Sequence, residues 1–303
     1  MTRTAVVPGN HDGVHVGHRR LVAEARERAV ARGLSVLGLF FDPHPAVVLA
    51  PARAPTPLTT PARRRELLRA AGCDEVVVDA FDRDYAAMSP ERFVRDVLVG
   101  RLGAALVVVG PDFRFGAGRA GNVESLRAMA ANAGLEVHVV APLERDGVRI
   151  SSTRVRDLLA EGKTMEAARA LGRLHDVDAT VERGDGRGRV LGYPTANLRP
   201  DSVMLPADGI YALLVRTPDG QLHRAVASLG ERPTFDQKRT FEVHLFGRFG
   251  ELYGQRLRVA FGPRLRAIAR FDSADALVRA IAADVEAADR ALDAIDPELV
   301  QWL

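Results

Sequence analysis

Apolar positions follow two different rhythms along this chain. Residues 4–8 form a short apolar run closed by Gly9. From about Arg19 to Arg32 the spacing is helical, with Leu21, Ala25, Ala29 and Val30 assigned to one side and Gly33 as the stop. Ser35 to Phe41 reads as a strand that ends at Asp42-Pro43-His44-Pro45, and Pro61 to Ala71 as a helix. A strand follows at Asp74 to Val78, then a helix opened by Ser89-Pro90-Glu91, with Ser89 as N-cap and Pro90 at the first position. Ala105 to Val109 and Glu136 to Val140 read as strands around a helix at Asn122 to Ala133. Ser151-Ser152-Thr153 starts a helix to about Leu159. Strands that are apolar throughout, such as Leu106-Val107-Val108-Val109, need cover on both faces. Their alternation with helices predicts an α/β domain built on a doubly wound, Rossmann-like parallel sheet. Ligands of such sheets sit beyond the carboxyl ends of the strands. Those ends carry Gly9-Asn10-His11, Asp42-Pro43-His44 and Gly110-Pro111-Asp112.

Near residue 175 the rhythm changes. Short β-like segments separated by turns follow at Asp178–Glu182, Ile210–Arg216, Arg224–Leu229, Thr240–Leu245 and Arg256–Phe261. They predict a small antiparallel β-barrel, closed by a C-terminal helix from Ser273 to about Leu292. The expected division is a first domain at 1–160, a linker at 161–175 and a barrel domain with its helix at 176–303.

Composition narrows the chemistry. With 47% hydrophobic and 27% charged residues the chain is ordinary globular protein. Net charge is only +3, and the basic excess is arginine: the only lysines are Lys163 and Lys238. That suits anionic small ligands at least as well as nucleic acid. Basic and aromatic residues do not interleave as in stacking platforms, so no nucleic-acid partner is expected. Cys73 is the single cysteine, which rules out an internal disulfide and favours a cytoplasmic setting. The first nine residues are too soon interrupted for a signal peptide. No run of about 18 apolar residues exists, so no membrane partner is expected. The sequence is compatible with a homo-oligomer.

The densest cluster of chemistry is Gly9-Asn10-His11-Asp12-Gly13-Val14-His15-Val16-Gly17-His18, between a strand and a helix. His15 and His18 are three apart, so one helical turn places both on one face. Gly13 and Gly17 let backbone approach a ligand closely. A helix start favours phosphate through its free N–H groups and dipole. Two imidazoles there can donate to an α-phosphate and to leaving pyrophosphate, chemistry that needs positioning and charge stabilisation more than a nucleophile. A zinc pair is the other reading, but no third ligand stands out by spacing. Farther on, Ser151, Ser152 and Thr153 can cap a helix while Arg154 and Arg156 meet phosphate charge.

His15-x-Gly17-His18 resembles the HxGH signature of the nucleotidyltransferase superfamily. Ile150-Ser151-Ser152-Thr153-Arg154-Val155-Arg156 is similar to its second phosphate-binding segment. Phe41-Asp42-Pro43-His44-Pro45 and Gly110-Pro111-Asp112-Phe113-Arg114-Phe115-Gly116 resemble segments of the FAD synthetase module. In the barrel, Pro194-Thr195-Ala196-Asn197 resembles the PTAN motif of riboflavin kinases, and Phe241-Glu242-Val243-His244 the segment with their catalytic base. Arg232-Pro233-Thr234-Phe235 and Leu252-Tyr253-Gly254 are further likenesses. From about residue 4 to about 292 the chain is thus similar to the bifunctional bacterial riboflavin kinase/FAD synthetases.

That resemblance implies riboflavin, FMN and ATP as substrates. It implies ATP phosphate contacts from Gly9, Asn10, Asp12, Gly13, Gly17, Asp112, Ser151, Ser152, Thr153, Arg154 and Arg156, with His15 and His18 catalytic. It implies FMN contacts from Asp42, Pro43, His44, Phe113, Arg114 and Phe115. In the kinase it implies Glu242 as base, Gly184, Gly186, Gly188 and Pro194 around ATP, and Thr195 and Asn197 at both ATP and Mg²⁺. Neutral oxygen ligands suit an ion that shares its shell with phosphates. Read without the resemblance, Pro194–Asn197 is a turn, and alternation puts Glu242 and His244 on one strand face with Phe241 and Val243 on the other.

Several positions depart from the family pattern. His11 stands where phenylalanine is usual. Leu174-His175 replaces a Pro-aromatic pair, Ala179 a glycine, and Gly247-Arg248-Phe249 an Asp-Phe-Asp stretch. These departures leave open a specialised paralogue that keeps one activity or takes a modified flavin or another phosphorylated substrate. A nucleotide- or flavin-binding regulatory protein is a further class, against which the retained His15, His18 and Glu242 argue.

Overall fold

In the computed structural model the first strand, β1 (Thr4–Pro8), is buried at all five positions. The described residues are 3–184, 188, 192–231, 239–247 and 250–303. They divide into two compact units, residues 1–152 and 153–303.

In the first unit β1 leads into α1 (Val16–Val30), β2 (Ser35–Asp42), the short α2 (Pro45–Leu49), α3 (Pro61–Ala70) and β3 (Glu75–Ala80). The short α4 (Arg83–Ala86) and α5 (Pro90–Arg92) follow, and α5 continues as a π-helix over Phe93–Arg101. Then come β4 (Ala104–Val109), α6 (Val123–Ala133), β5 (Glu136–Val139) and a small hairpin of β6 (Glu144–Arg145) and β7 (Val148–Arg149). The sheet is parallel, in the order β3-β2-β1-β4-β5. Every residue of β4 is buried, as a strand covered on both faces must be.

Local signals set the helix ends. Thr60 caps α3 by accepting from the Arg63 N–H, with Pro61 at the first position. Asn122 and Ser125 form a reciprocal capping box on α6, which Gly134 closes in the left-handed conformation. The buried stripe of α1 differs from the expected one. Val22, Ala25 and Ala29 face the sheet, while Val30 is 71% exposed. Residues 22, 25 and 29 are spaced three and four apart, and that spacing leaves position 30 a quarter-turn off the stripe.

α7 (Ser152–Ala160) begins at the last residue of the first unit. The second unit continues with α8 (Thr164–Leu171), within the stretch expected as a linker. Ala168 packs with Leu174, Ile210 and Ala260, and the Thr164 hydroxyl donates to the Gly262 carbonyl at 2.6 Å. Apolar spacing over 167–171 is too short a stretch to read as a helix in isolation. β8 (His175–Glu182), β9 (Ala196–Pro200), β10 (Gly209–Arg216), β11 (Leu222–Glu231), β12 (Arg239–Leu245) and β13 (Arg256–Arg266) close an antiparallel barrel in the order β10-β11-β12-β9-β8-β13. Tyr211, Phe241 and Phe261 fill its interior, with Phe241 and Phe261 stacked 5.6 Å apart. Burying each such ring stabilises the barrel by about 1.5–3 kcal/mol. The C-terminal helix α9 (Ala274–Asp293) places Ala288 and Leu292 against Leu214, Val226 and Ala260 on the outer wall.

Candidate active sites

The loop from β1 to α1 holds three imidazoles in contact. His15 is the N-cap of α1, and its Nδ1 accepts from the His18 N–H at 3.4 Å. A neutral ring that accepts at Nδ1 carries its proton on Nε2, which makes Nε2 a donor. The His15 and His18 rings stack with centroids 3.7 Å apart and planes 19° from parallel. His11 meets His18 edge-on, with centroids 5.0 Å apart at 80°. Close packing requires the glycines here. A Cβ on Gly9 would lie 3.0 Å from the His11 ring, and one on Gly17 3.1 Å from the His15 ring.

His11 is 1% exposed, and its Nε2 hydrogen bonds with the Val7 carbonyl at 2.9 Å. Burial lowers its pKa to about 4, so it is neutral at pH 7. Enclosed this way, it backs the loop and meets His18 edge-on. Burial, followed by the neighbouring charges of His15, His11 and Arg64, holds His18 well below the ordinary histidine value. Two stacked imidazoles cannot both be charged cheaply until an anion joins them.

Asp12 was expected among the phosphate contacts; it is 3% exposed and turned away into the protein. Its carboxylate accepts from the N–H groups of Leu58 and Thr59 and from Arg64 at 2.9 Å. The Ser152 hydroxyl donates to the Asp12 carbonyl at 2.8 Å, so the start of α7 meets the histidine loop. Thr153, Arg154 and Arg156 follow Ser152 on α7, in the second unit.

Other expected residues gather at the same sheet edge. The Asn10 carboxamide lies 3.0 Å from His44 Nε2, which links the ends of β1 and β2. His44 also caps α2 by accepting from the Ala46 N–H. Asp42 and Pro43 are exposed beside it. Asp112, after β4, is exposed and ion-paired with Arg149. Of the expected flavin contacts there, Arg114 is exposed and Phe113 half-buried, but Phe115 is core. It packs on Phe93 and Phe113, and a Cβ on Gly121 would come within 2.7 Å of it.

Sequence reasoning missed two features. One is an aromatic cluster of Phe41, Phe81 and Tyr85, with centroids 5.3–5.6 Å apart at the ends of β2 and β3. Its rings offer a wall for a flat ligand. The Tyr85 hydroxyl donates to buried Asp79 at 3.0 Å, and burial, then that carboxylate, raises its pKa. The other is the brace formed by Leu58, Thr59 and Arg64. The stretch from Pro61 to Ala71 reads only as a helix, and nothing in it marks Arg63 and Arg64 as the buried residues they are.

The second candidate cluster lies on the outer wall of the barrel. β12 alternates as expected, with Phe241 and Val243 inside and Glu242 and His244 half-buried outside. Of Pro194–Asn197, which read as a turn, Ala196 and Asn197 instead begin β9, and Asn197 pairs directly across from Glu242. Opposed residues of an antiparallel pair share a face, so Asn197 and Glu242 stand side by side. His244 Nδ1 lies 2.8 Å from the Pro194 carbonyl, and Tyr193 packs edge-on against its ring. Backbone at Gly184 and Gly188 closes over the motif. A Cβ on Gly184 would fall 1.8 Å from Asn197 Nδ2, and one on Gly188 3.1 Å from Thr195 Oγ1. Gly186, Arg232–Phe235, Arg248 and Phe249 lie outside the described residues.

Two family models match this chain: FAD synthetase over residues 1–154 and riboflavin kinase over residues 171–292. The bifunctional riboflavin kinase/FMN adenylyltransferase of Pseudomonas fluorescens is 41% identical over 288 residues, 94% of this chain and 92% of that protein. This chain belongs to that bifunctional family. The Escherichia coli K12 member is 36% identical over 277 residues, covering 91% of this chain and 88% of its own length. A solved Streptococcus pneumoniae structure, described as a macrolide-efflux protein, aligns with a TM-score of 0.86 at 32% identity over 95% of both chains. Among the described residues of this family member, no helix is long and apolar enough to cross a membrane. Its FAD synthetase match falls on the parallel-sheet unit and its riboflavin kinase match on the barrel, the order in which the motifs stand. ATP is the co-substrate of both enzyme families.

Proposed function

We propose that this chain phosphorylates riboflavin to FMN on the barrel and adenylylates FMN to FAD at the parallel sheet. The observation that carries the reading is the presence, in one chain, of the stacked His15–His18 pair at a helix start and of Glu242 paired across from Asn197. We assign adenylyl transfer to residues 1–160 and phosphorylation to 176–303.

On the barrel, Glu242 takes the proton of the riboflavin 5′-hydroxyl as its oxygen bonds to the γ-phosphorus of ATP. The bond from that phosphorus to the ADP oxygen breaks. Thr195 and Asn197 offer neutral oxygens that fit Mg²⁺ together with ATP phosphates. The bound ion would supply charge neutralisation to those phosphates. Gly184, Gly188 and Pro194 bring backbone to the same place, the family resemblance assigns Gly186 to ATP with them, and His244 steadies the Pro194 carbonyl.

At the sheet edge, an oxygen of the FMN phosphate bonds to the α-phosphorus of a second ATP, and the bond to pyrophosphate breaks. His15 and His18 donate to the charge that develops. The start of α1 with Gly9, Asn10, Gly13 and Gly17, and the start of α7 with Ser151, Ser152, Thr153, Arg154 and Arg156, receive the phosphates. Asp42, Pro43, His44, Phe113 and Arg114 flank the flavin, with Asp112 nearby and Phe115 supporting Phe113. Asp12 acts indirectly, by holding the loop. His11, enclosed and bonded to Val7, is out of direct reach of the substrate, which favours the ordinary flavin substrate over a retargeted one. We assign the chain to the cytoplasm, without a nucleic-acid or membrane partner. The test is incubation with riboflavin, ATP and Mg²⁺, then chromatography. FMN with ADP, followed by FAD with pyrophosphate, is expected; turnover of neither flavin would contradict the reading.

A further inference from the structure

Arg64 stands on α3, outside every motif above. It is 4% exposed, and its guanidinium reaches the histidine loop both directly and through Thr59. Nη1 donates to the Asn10 carbonyl at 3.0 Å and Nη2 to the Asp12 carboxylate at 2.9 Å. Nη2 and Nε also reach the carbonyl and hydroxyl of Thr59, and the Phe40 ring lies 5.0 Å from the guanidinium carbon. Thr59 closes the circuit by accepting from the Gly13 N–H at 3.2 Å. One planar cation therefore holds Asn10, Asp12 and, through Thr59, Gly13.

The held segment is conformationally costly. His11 has φ +49° and Val14 φ +41°, in the left-handed region that a β-branched residue such as valine rarely adopts. Such backbone persists where its surroundings over-determine it. These two residues turn the chain so that His15 arrives as the N-cap of α1 with His18 stacked on it.

We infer that Arg64 is a positioning residue for adenylyl transfer: from behind the loop it fixes the backbone that aims His15 and His18 and sets a permanent positive charge beside them. The inference rests on the adenylyl-transfer reading of this unit. A charge already in place needs no reorganisation when negative charge builds on a transferring phosphate. The groups that face His18 are His15, His11 and Arg64, with Asp12 bonded to Arg64. Arg64 also disfavours the charged form of His18, after burial and the two imidazoles. Replacing Arg64 by a neutral residue removes that opposition and leaves the Asp12 carboxylate nearby, so both changes favour protonated His18.

The experiment uses the full chain, with Arg64→Met and Arg64→Lys. FAD formation from FMN, FMN formation from riboflavin, and the His18 titration by NMR are measured on each. Arg64→Met is expected to lower the FAD-forming kcat by roughly 100-fold, with little change in the KM for ATP, and to raise the His18 midpoint. Arg64→Lys, which keeps the charge, is expected to retain FAD formation within about tenfold and to keep the wild-type midpoint. FMN formation stays unchanged in both. Should Arg64→Met fail to fold, Arg64→Gln takes its place with the same expected loss. A folded neutral variant that makes FAD at the wild-type rate, or an Arg64→Lys chain as inactive as the neutral one with His18 unshifted, would overturn the inference. A wild-type chain that makes no FAD would instead overturn the functional reading beneath it.

Discussion

The rings of His15 and His18 lie one on the other, 3.7 Å between centroids, and the same His15 ring caps the helix on which His18 sits. One side chain thus orients the pair and starts the helix. The two roles can be separated. Asparagine is a good N-cap and keeps an acceptor for the His18 N–H, but it removes the ring. His15→Asn should lower FAD formation by about 10²–10³-fold while leaving the thermal midpoint nearly unchanged. His15→Ala should lose the same activity and also about 1 kcal/mol of stability. Normal FAD formation by His15→Asn would show that the ring plays no part in transfer.

His11 links stability to pH. The unfolded chain takes a proton on this histidine below about 6.5, whereas the folded chain holds it neutral down to about 4. Its contribution to stability is therefore complete above pH 6.5 and is lost as pH falls through that window, about 3 kcal/mol in all. His11→Phe should flatten the fall in denaturant midpoint between pH 7 and pH 5. His18 acts in the same direction, so the slope should shrink without vanishing. An unchanged slope would mean that His11 is not held neutral.

Gly184 and Asn197 occupy space that admits no extra methyl group. The atom in the way is the Asn197 amide, which could swing aside, but only by leaving its place across from Glu242. Gly184→Ala should therefore lower FMN formation by about 10²-fold and raise the Mg²⁺ requirement, with adenylylation of supplied FMN intact. Steady-state rates of the two half-reactions check this. Equal FMN formation by wild type and variant would place the metal ligands elsewhere.

His244 tests the brace on the same motif. His244→Phe keeps a ring for Tyr193 to pack on but loses the hydrogen bond to the Pro194 carbonyl. The KM for ATP in FMN formation should rise by about tenfold, the scale of one lost hydrogen bond. An unchanged KM would show that Pro194 is held without it.

The parallel sheet was legible because strands covered on both faces are apolar at every position, as β4 is. The placement of His15 and His18 at one helix start and of Glu242 on the outward face of β12 followed from local spacing, while their roles came from the family resemblance. β9 was not: Ala-Asn-Leu-Arg-Pro has weak strand preference, and its partners β8 and β12 hold it in place. The brace was not either. Arg64 lies 52 residues from Asp12, and nothing local marks an arginine that tertiary structure will bury. The same long-range contacts turned Asp12 from an expected phosphate contact into a loop anchor.

The central claim is that two independent sites act in one chain, and a crossed assay tests it most directly. His18→Ala and Glu242→Gln chains are each given riboflavin with ATP and, separately, FMN with ATP, and the flavins are chromatographed. His18→Ala should turn riboflavin into FMN and stop there. Glu242→Gln should leave riboflavin untouched yet convert FMN to FAD. Parallel loss of both reactions in either variant would contradict the account.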